Sequence, residues 1–182
     1  EEHRMRIAIS SKSGCGNTTV STLLSEKLGY PMVNFTFRQM AQERGVDFWT
    51  FCRMAEDDYD IDRELDRRQV EMAMEQKDCI LASRLAIWML KEADLKVYLT
   101  ATAETRAKRV YTREGGSLEE RYKETVRRDE NDTNRYKTIY GIDNSKPEEC
   151  ADLIIATDDK TPDEIVSLII QEVEKKTHSC GC

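Results

Sequence analysis

The stretch Ile9-Ser10-Ser11-Lys12-Ser13-Gly14-Cys15-Gly16-Asn17-Thr18-Thr19 decides the fold. Before and into it, Arg6-Ile7-Ala8-Ile9-Ser10 reads as a short buried strand. After it, Val20, Leu23, Leu24 and Leu28 recur at the spacing of one helical face. A strand that enters a helix through a turn of small residues is the context a phosphate-binding loop requires. Backbone N–H groups can turn inward around an anion, and the helix N-terminus adds its dipole. Thr18 falls where a hydroxyl would reach Mg²⁺. The stretch departs from GxxxxGK[ST] at two positions, with Ser11 for the first Gly and Asn17 for the Lys. That ammonium ordinarily meets the β- and γ-phosphates. Lys12, the only lysine in the loop, either supplies a substitute charge or points into solvent. On the loop alone, a glycine-rich turn with no ligand is the competing reading.

Outward from the loop, Gly29-Tyr30-Pro31 stops the first helix, and Met32 to Asn34 reads as a short second strand. Residues 35–76 are helical in pattern, broken at Gly45 and at Glu56-Asp57-Asp58-Tyr59-Asp60. Cys79-Ile80-Leu81-Ala82 and Leu95-Lys96-Val97-Tyr98-Leu99 read as strands. Glu104 to Glu114 reads as a helix ended by Gly115-Gly116, a glycine pair suited to a hinge. Ser117-Leu118-Glu119-Glu120 offers a capping box for a further helix to Tyr140. Asp152 to Ala156 is a last strand, and Thr161-Pro162-Asp163-Glu164 starts a last helix with Ile165, Leu168, Ile169 and Val173 on one face. About five strands alternating with helices predict an α/β fold with a parallel sheet covered on both faces. The expected core is 5–34, 77–104 and 150–176. Residues 35–76 and about 105–140 are too long for plain crossovers. They are expected to be inserted lobes at the carboxyl edge of the sheet, where such folds bind ligands.

The chain has 182 residues, enough for one domain. With 39% hydrophobic and 35% charged residues it can fill one core and keep a wet surface. A net charge of −7 disfavours a nucleic-acid partner, which needs a basic surface. No apolar run is long enough to cross a bilayer, and Glu1 to Arg4 carry no apolar signal segment. The cysteines at 15, 52, 79, 150, 180 and 182 contain no CxxC pair, so no zinc site is expected. They read as thiols of a reducing cytoplasm, with Cys180-Gly181-Cys182 as a frayed tail.

Charge is distributed unevenly. Residues 106–137 hold ten basic and seven acidic side chains, a net +3 that leaves −10 for the rest. Arg outnumbers Lys there by seven to three, and its planar fork binds phosphate oxygens bidentately. Arg106, Arg109 and Arg113 share one helical face, as do Arg128, Asp132 and Arg135. Both sets read either as ion pairs on a solvated face or as a site for a small, highly charged anion. In the second set the carboxylate would sit between two phosphate-binding guanidiniums, available to a sugar hydroxyl or a base amino group.

These pieces together resemble the cytidylate kinases, and most closely their short archaeal-type branch. Arg6 to Thr19 resembles that branch's opening strand and phosphate loop. Phe37-Arg38-Gln39-Met40-Ala41 resembles the start of its monophosphate-binding lobe. Ile61-Asp62-Arg63-Glu64-Leu65-Asp66-Arg67-Arg68-Gln69 is similar to its IDxxIDRRQ stretch, and Ser83-Arg84-Leu85-Ala86-Ile87-Trp88 to its GRLAxW. Leu99 to Arg109 resembles its strand-to-lid passage, and Arg128-Asp129-Glu130-Asn131-Asp132-Thr133-Asn134-Arg135 its RDxxDxxR motif. The branch sometimes carries Thr in place of the loop lysine; Ser11 and Ser83, each for a Gly, are further departures.

The resemblance implies phosphoryl transfer from ATP to CMP or dCMP by a single-domain kinase fold with monophosphate-binding and lid insertions. It implies ATP and Mg²⁺ as cofactors, a cytoplasmic monomer, and neither nucleic acid nor membrane as a partner. It further implies that residues 11–19 hold the ATP phosphates, with Thr18 on Mg²⁺. Arg38 and Arg84 would bind the CMP phosphate, and Arg128 would neutralise the transferring or acceptor phosphate. Asp132 and Arg135 would contact the cytidine, and Arg109 and Arg113 would be lid charges. Arg67 and Gln69 are weaker candidates, and Tyr136 and Trp88 read as packing residues. A kinase for another nucleoside monophosphate, and a nucleotide-binding protein that has lost catalysis, remain alternatives.

Overall fold

A computed structural model describes residues 3–179. The central strand β1 (Arg6–Ser11) is buried along its whole length. It pairs in parallel with β2 (Cys79–Ala82) on one side and β3 (Leu95–Thr100) on the other. Strand β4 (Leu153–Ala156) extends the sheet beyond β3, giving the order β2-β1-β3-β4. Alternation along β1 assigns its side chains to two layers. Ile7 and Ile9 pack with Val97, Leu99 and Ile155 beneath α1 (Asn17–Leu28) and α8 (Pro162–His178). Ala8 packs with Leu81 and Tyr98 beneath α4 (Tyr59–Met74) and α5 (Ala86–Met89). Ser10, on that second layer, is buried, and its hydroxyl accepts the Ile87 N–H at 3.0 Å.

Four strands are present among the described residues instead of about five. The expected strand at Met32–Asn34 is reduced to one bridge, Met32 opposite Ile80. Pro31 has no N–H to extend the ladder, and the chain leaves the edge at once. Phe35 enters a separate apolar cluster, and Thr36 and Gln39 form a reciprocal capping box that starts α2 (Phe37–Glu43). That cluster is built from Phe35, Met40, Phe51, Ala55 and Ile61, carried by α2, α3 (Phe48–Asp57) and α4. The segment 35–76 thus has a small core of its own. The acidic break shrinks to Asp58 alone, which ends α3 and caps α4 through the Asp60 N–H.

The second long segment forms α6 (Ala103–Glu114) and α7 (Leu118–Tyr140). Gly115 and Gly116 join them at φ +76° and +85°, conformations that L side chains avoid. The Arg121 guanidinium folds back to the Gly115 carbonyl at 2.9 Å. Ser117 caps α7 by accepting the Glu120 N–H. The short helix α5 lies where sequence periodicity gave no signal. No helix among the described residues is long and apolar enough to cross a membrane. The expectation for Cys180-Gly181-Cys182 lies outside the described residues.

Candidate active site

The loop leaves β1 at the carboxyl edge of the sheet and enters α1 through Gly16. Gly14 and Gly16 both have φ +77°. The first turn of α1 carries no acidic side chain, so its N–H groups and dipole are left to an incoming anion. An open cavity of about 430 Å³ lies over residues 11–19. Ser83 and Arg84, which follow β2, and Arg113 and Arg128, from α6 and α7, complete its lining. Among the described residues Lys12 and Arg128 have no ion-pair partner, while Arg113 meets only Glu114, at 3.2 Å on the surface. Four cations therefore surround a loop built for anions.

Asn17 does not occupy the role of the missing lysine. Its side-chain N–H₂ donates to the Ile9 carbonyl at 3.4 Å, and its amide oxygen accepts the Ser21 hydroxyl at 3.0 Å. It fastens the strand–loop–helix junction and leaves the positive charge of the cavity to Lys12, Arg84, Arg113 and Arg128.

Two arginines hold the loop from beneath. Arg106 is 4% exposed and makes a bidentate pair with Asp129 at 2.9 and 2.7 Å. The same guanidinium donates to the Ala101 and Ser13 carbonyls at 3.1 and 3.3 Å. Arg109 donates to the Gly14 carbonyl at 2.9 Å and to the Thr157 carbonyl at 3.1 Å. Expected as a lid charge, Arg109 lies under the loop and does not line the cavity. The face shared by Arg106, Arg109 and Arg113 thus runs from a buried ion pair, through a loop tether, to the cavity wall. A Cβ on Gly14 would come within 3.1 Å of the Arg106 Cβ, at a φ that disfavours alanine. Gly14→Ala is expected to weaken binding of inorganic tripolyphosphate, a probe of the loop, at least tenfold while leaving far-UV dichroism unchanged; wild-type affinity would contradict this packing of the loop.

A second cavity, of about 230 Å³, adjoins the first across Ser83 and Arg84, which line both. Its walls are one face of α4, with Asp62, Leu65, Asp66 and Gln69, and one face of α7, with Asp132, Arg135, Tyr136 and Tyr140. Arg128, Asp132 and Arg135 do not bond to one another in an intrahelical network. Asp132 pairs with Arg84, and Arg135 with Asp62 and the Ala55 carbonyl. Arg63 reaches the Ile139 carbonyl, and Tyr140 donates to Asp66, so α4 and α7 are fastened along the cavity. Burial pushes the Asp132 and Asp62 carboxyls up even against their guanidinium partners. Asp66 has no such partner, and burial pushes it to about 6, opposed only by the Tyr140 hydrogen bond.

Most of the residues expected at the site converge on these two cavities. Arg38 does not: it is exposed, stacks on Phe48 at 4.0 Å and lines neither. Arg67 lies outside both and pairs with Glu71 at 2.7 Å. Cys15, within the loop, is buried, and desolvation raises its thiol pKa, which disfavours thiolate chemistry. Sequence reasoning passed over Arg106 with Asp129 as a loop support, and Asp62, Asp66 and Tyr140 as cavity walls. The available signal was spacing: Asp62, Asp66 and Gln69 at i, i+4 and i+7 share one helix face, as do Asp132, Tyr136 and Tyr140 at i, i+4 and i+8 on the facing helix. Among the described residues no group of three or more His, Cys, Asp or Glu could hold a metal ion. Thr18, exposed at the cavity, fits a Mg²⁺ ion that takes its other ligands from phosphate oxygens and water.

Residues 6–159 match the model of the cytidylate kinase-like family. "Cytidylate kinase 2" of Borreliella afzelii is 43% identical over 175 residues, covering 94% of this chain and 98% of the relative. "Cytidylate kinase" of Pyrococcus furiosus is 41% identical over 167 residues, covering 90% and 85%. Among solved structures, an uncharacterized protein from Eubacterium ventriosum superposes with a TM-score of 0.68 at 17% identity, covering 94% of this chain and 99% of that one. Shikimate kinase from Acinetobacter baumannii superposes with a TM-score of 0.59 at 18% identity, covering 94% of each. These two establish the likeness of fold alone. By its sequence over nearly its whole length, the chain belongs to the cytidylate kinase-like family.

Proposed function

We propose that this protein transfers the γ-phosphoryl group of ATP to CMP and dCMP. The observation that carries the reading is Arg84, which lines both cavities. A nucleoside monophosphate whose phosphate meets Arg84 and Arg128 places its nucleoside between α4 and α7, against Asp132 and Arg135. The same phosphate then faces the end of a triphosphate lying in residues 11–19. An acceptor phosphate oxygen attacks the γ-phosphorus as the bond to the bridging oxygen of ADP breaks. The acceptor is already ionised near neutral pH, so no general base is required, and no carboxylate or histidine lines the loop cavity. Catalysis rests on alignment and charge neutralisation. Thr18 would hold Mg²⁺ with the phosphate oxygens, and the ion would add charge neutralisation there. The lobe 35–76 and the α6–α7 unit act as the monophosphate-binding and lid parts, closing to exclude water.

The charge missing at Asn17 is supplied by Lys12, Arg113 and Arg128. Lys12→Ala is expected to lower kcat about 10²-fold with an unchanged melting temperature. Unchanged kcat would remove Lys12 from the machinery. The test of the function itself is ADP release from ATP with CMP, dCMP, UMP, AMP and GMP offered separately. Turnover with the cytidine nucleotides is expected; none with any acceptor would overturn the reading.

A further inference from the structure

The second cavity contains three carboxylates, and two of them are held by arginine: Asp132 by Arg84 and Asp62 by Arg135. Asp66 is the exception. Among the described residues its only hydrogen-bond partner is the Tyr140 hydroxyl, which occupies one oxygen. One turn further along α4, the Gln69 side-chain N–H₂ donates to the Phe35 carbonyl at 2.9 Å, leaving its amide oxygen as an acceptor. Asp66 and Gln69 line the second cavity and not the first, so they lie beyond Arg84 as seen from the loop. They stand where the far end of a nucleoside monophosphate must lie once its phosphate is held at Arg84. The wall there presents acceptors without partners.

We propose that Asp66, with the Gln69 amide beside it, reads the base: its carboxylate accepts the exocyclic amino group of cytosine and rejects uracil, whose carbonyl at that position brings a lone pair in place of a proton. The inference rests on the reading of the site as a cytidine nucleotide site. A buried acceptor facing a second acceptor is left unpaired, the arrangement that discriminates most strongly between isosteric ligands. Protonation of the Asp66 carboxyl, pushed up to about 6, turns it into a donor that uracil can accept. Discrimination should therefore fade as pH falls through that value.

The other groups facing Asp66 do not reproduce this behaviour. Arg84 and Arg135 face the same cavity, and Arg63 bonds its Ile139 wall, for CMP and for UMP alike, so their contribution is common to both. Burial raises the Tyr136 and Tyr140 pKa values further, so both stay neutral. Asp62 and Asp132 are each bonded to a guanidinium and remain in an Asp66 variant as internal controls. The nucleotide phosphate titrates near the same pH, but it is common to CMP and UMP and cancels in their ratio.

The test is the ratio of UMP to CMP dissociation constants, measured by calorimetry from pH 8 to 5.5 on the wild type and Asp66→Asn. The neutral isostere retains an acceptor for Tyr140 and removes a charge that burial already disfavours, so it is expected to fold. Wild type should favour CMP at pH 8 and lose at least tenfold of that preference by pH 5.5. Asp66→Asn should lower the pH 8 preference at least 10²-fold and show no pH trend. An unchanged preference in the variant overturns the proposal. Should the variant not fold, a wild-type ratio constant across the pH range overturns it equally. Binding is measured separately from turnover, so absence of product, which would sink the kinase reading, leaves the role of Asp66 still decided by the ratio.

Discussion

Arg128→Ala is expected to lower kcat for phosphoryl transfer by roughly 10³-fold with an unchanged melting temperature. Arg128 is exposed on α7, lines the loop cavity and has no ion-pair partner among the described residues. Its removal therefore breaks no structural bond. What disappears is a guanidinium placed where negative charge gathers between two phosphates. Arg127, its neighbour on the helix, is equally exposed but lines no part of that cavity. Arg127→Ala should leave kcat within a factor of about two, because it changes net charge by the same amount without touching the site. Equal losses in the two variants would mean that the basic surface acts only as a diffuse field. A loss confined to KM would assign Arg128 to binding substrate and not to the transition state.

The largest effect on stability is expected at Arg106. Removing it leaves the Asp129 carboxylate, 15% exposed, without its bidentate partner, and frees the carbonyls of Ser13 and Ala101. Breaking a buried pair from one side costs about 3–5 kcal/mol, which for a domain of this size lowers the melting temperature by roughly 6–20 °C. Arg106→Met combined with Asp129→Leu should recover most of that loss, since an apolar pair fills the space without a stranded charge. The double variant should still bind ATP less well than wild type, because Ser13 has lost its tether. Arg106→Ala melting within about 2 °C of wild type would contradict the account of how the loop is supported.

Local order was readable from the chain where the determining residues are neighbours. The apolar stripe Val20, Leu23, Leu24 and Leu28 marks α1, and Gly29 ends it in the left-handed conformation that a side chain resists. The alternating layers of β1 follow from Ile7 and Ile9 on one face and Ala8 and Ser10 on the other. Met32 to Asn34 read as a strand because local propensity cannot see that Phe35 is drawn into another core. The roles of the arginines were legible only as a set. Arg106 in a mixed-charge helix has the look of a surface residue; Asp129, twenty-three positions on, is what makes it internal. Arg135 and Asp132 share a helix face as the spacing requires, yet their bonding partners, Asp62 and Arg84, are 73 and 48 residues away. For Asp66 the spacing with Asp62 and Gln69 marks a shared helix face, but its partner Tyr140 lies on the opposite helix, 74 residues away. The phosphate loop was visible early because backbone geometry, set by Gly14 and Gly16, carries its chemistry.

The proposed function requires a loop with Asn17 in place of lysine to support transfer to a cytidine nucleotide. Following a labelled γ-phosphoryl group from ATP in the presence of Mg²⁺ and CMP tests it most directly. The label is expected in CDP, at a rate that falls with Arg128→Ala and not with Arg127→Ala. Label remaining in ATP, or released only as inorganic phosphate while both nucleotides are bound, would contradict it.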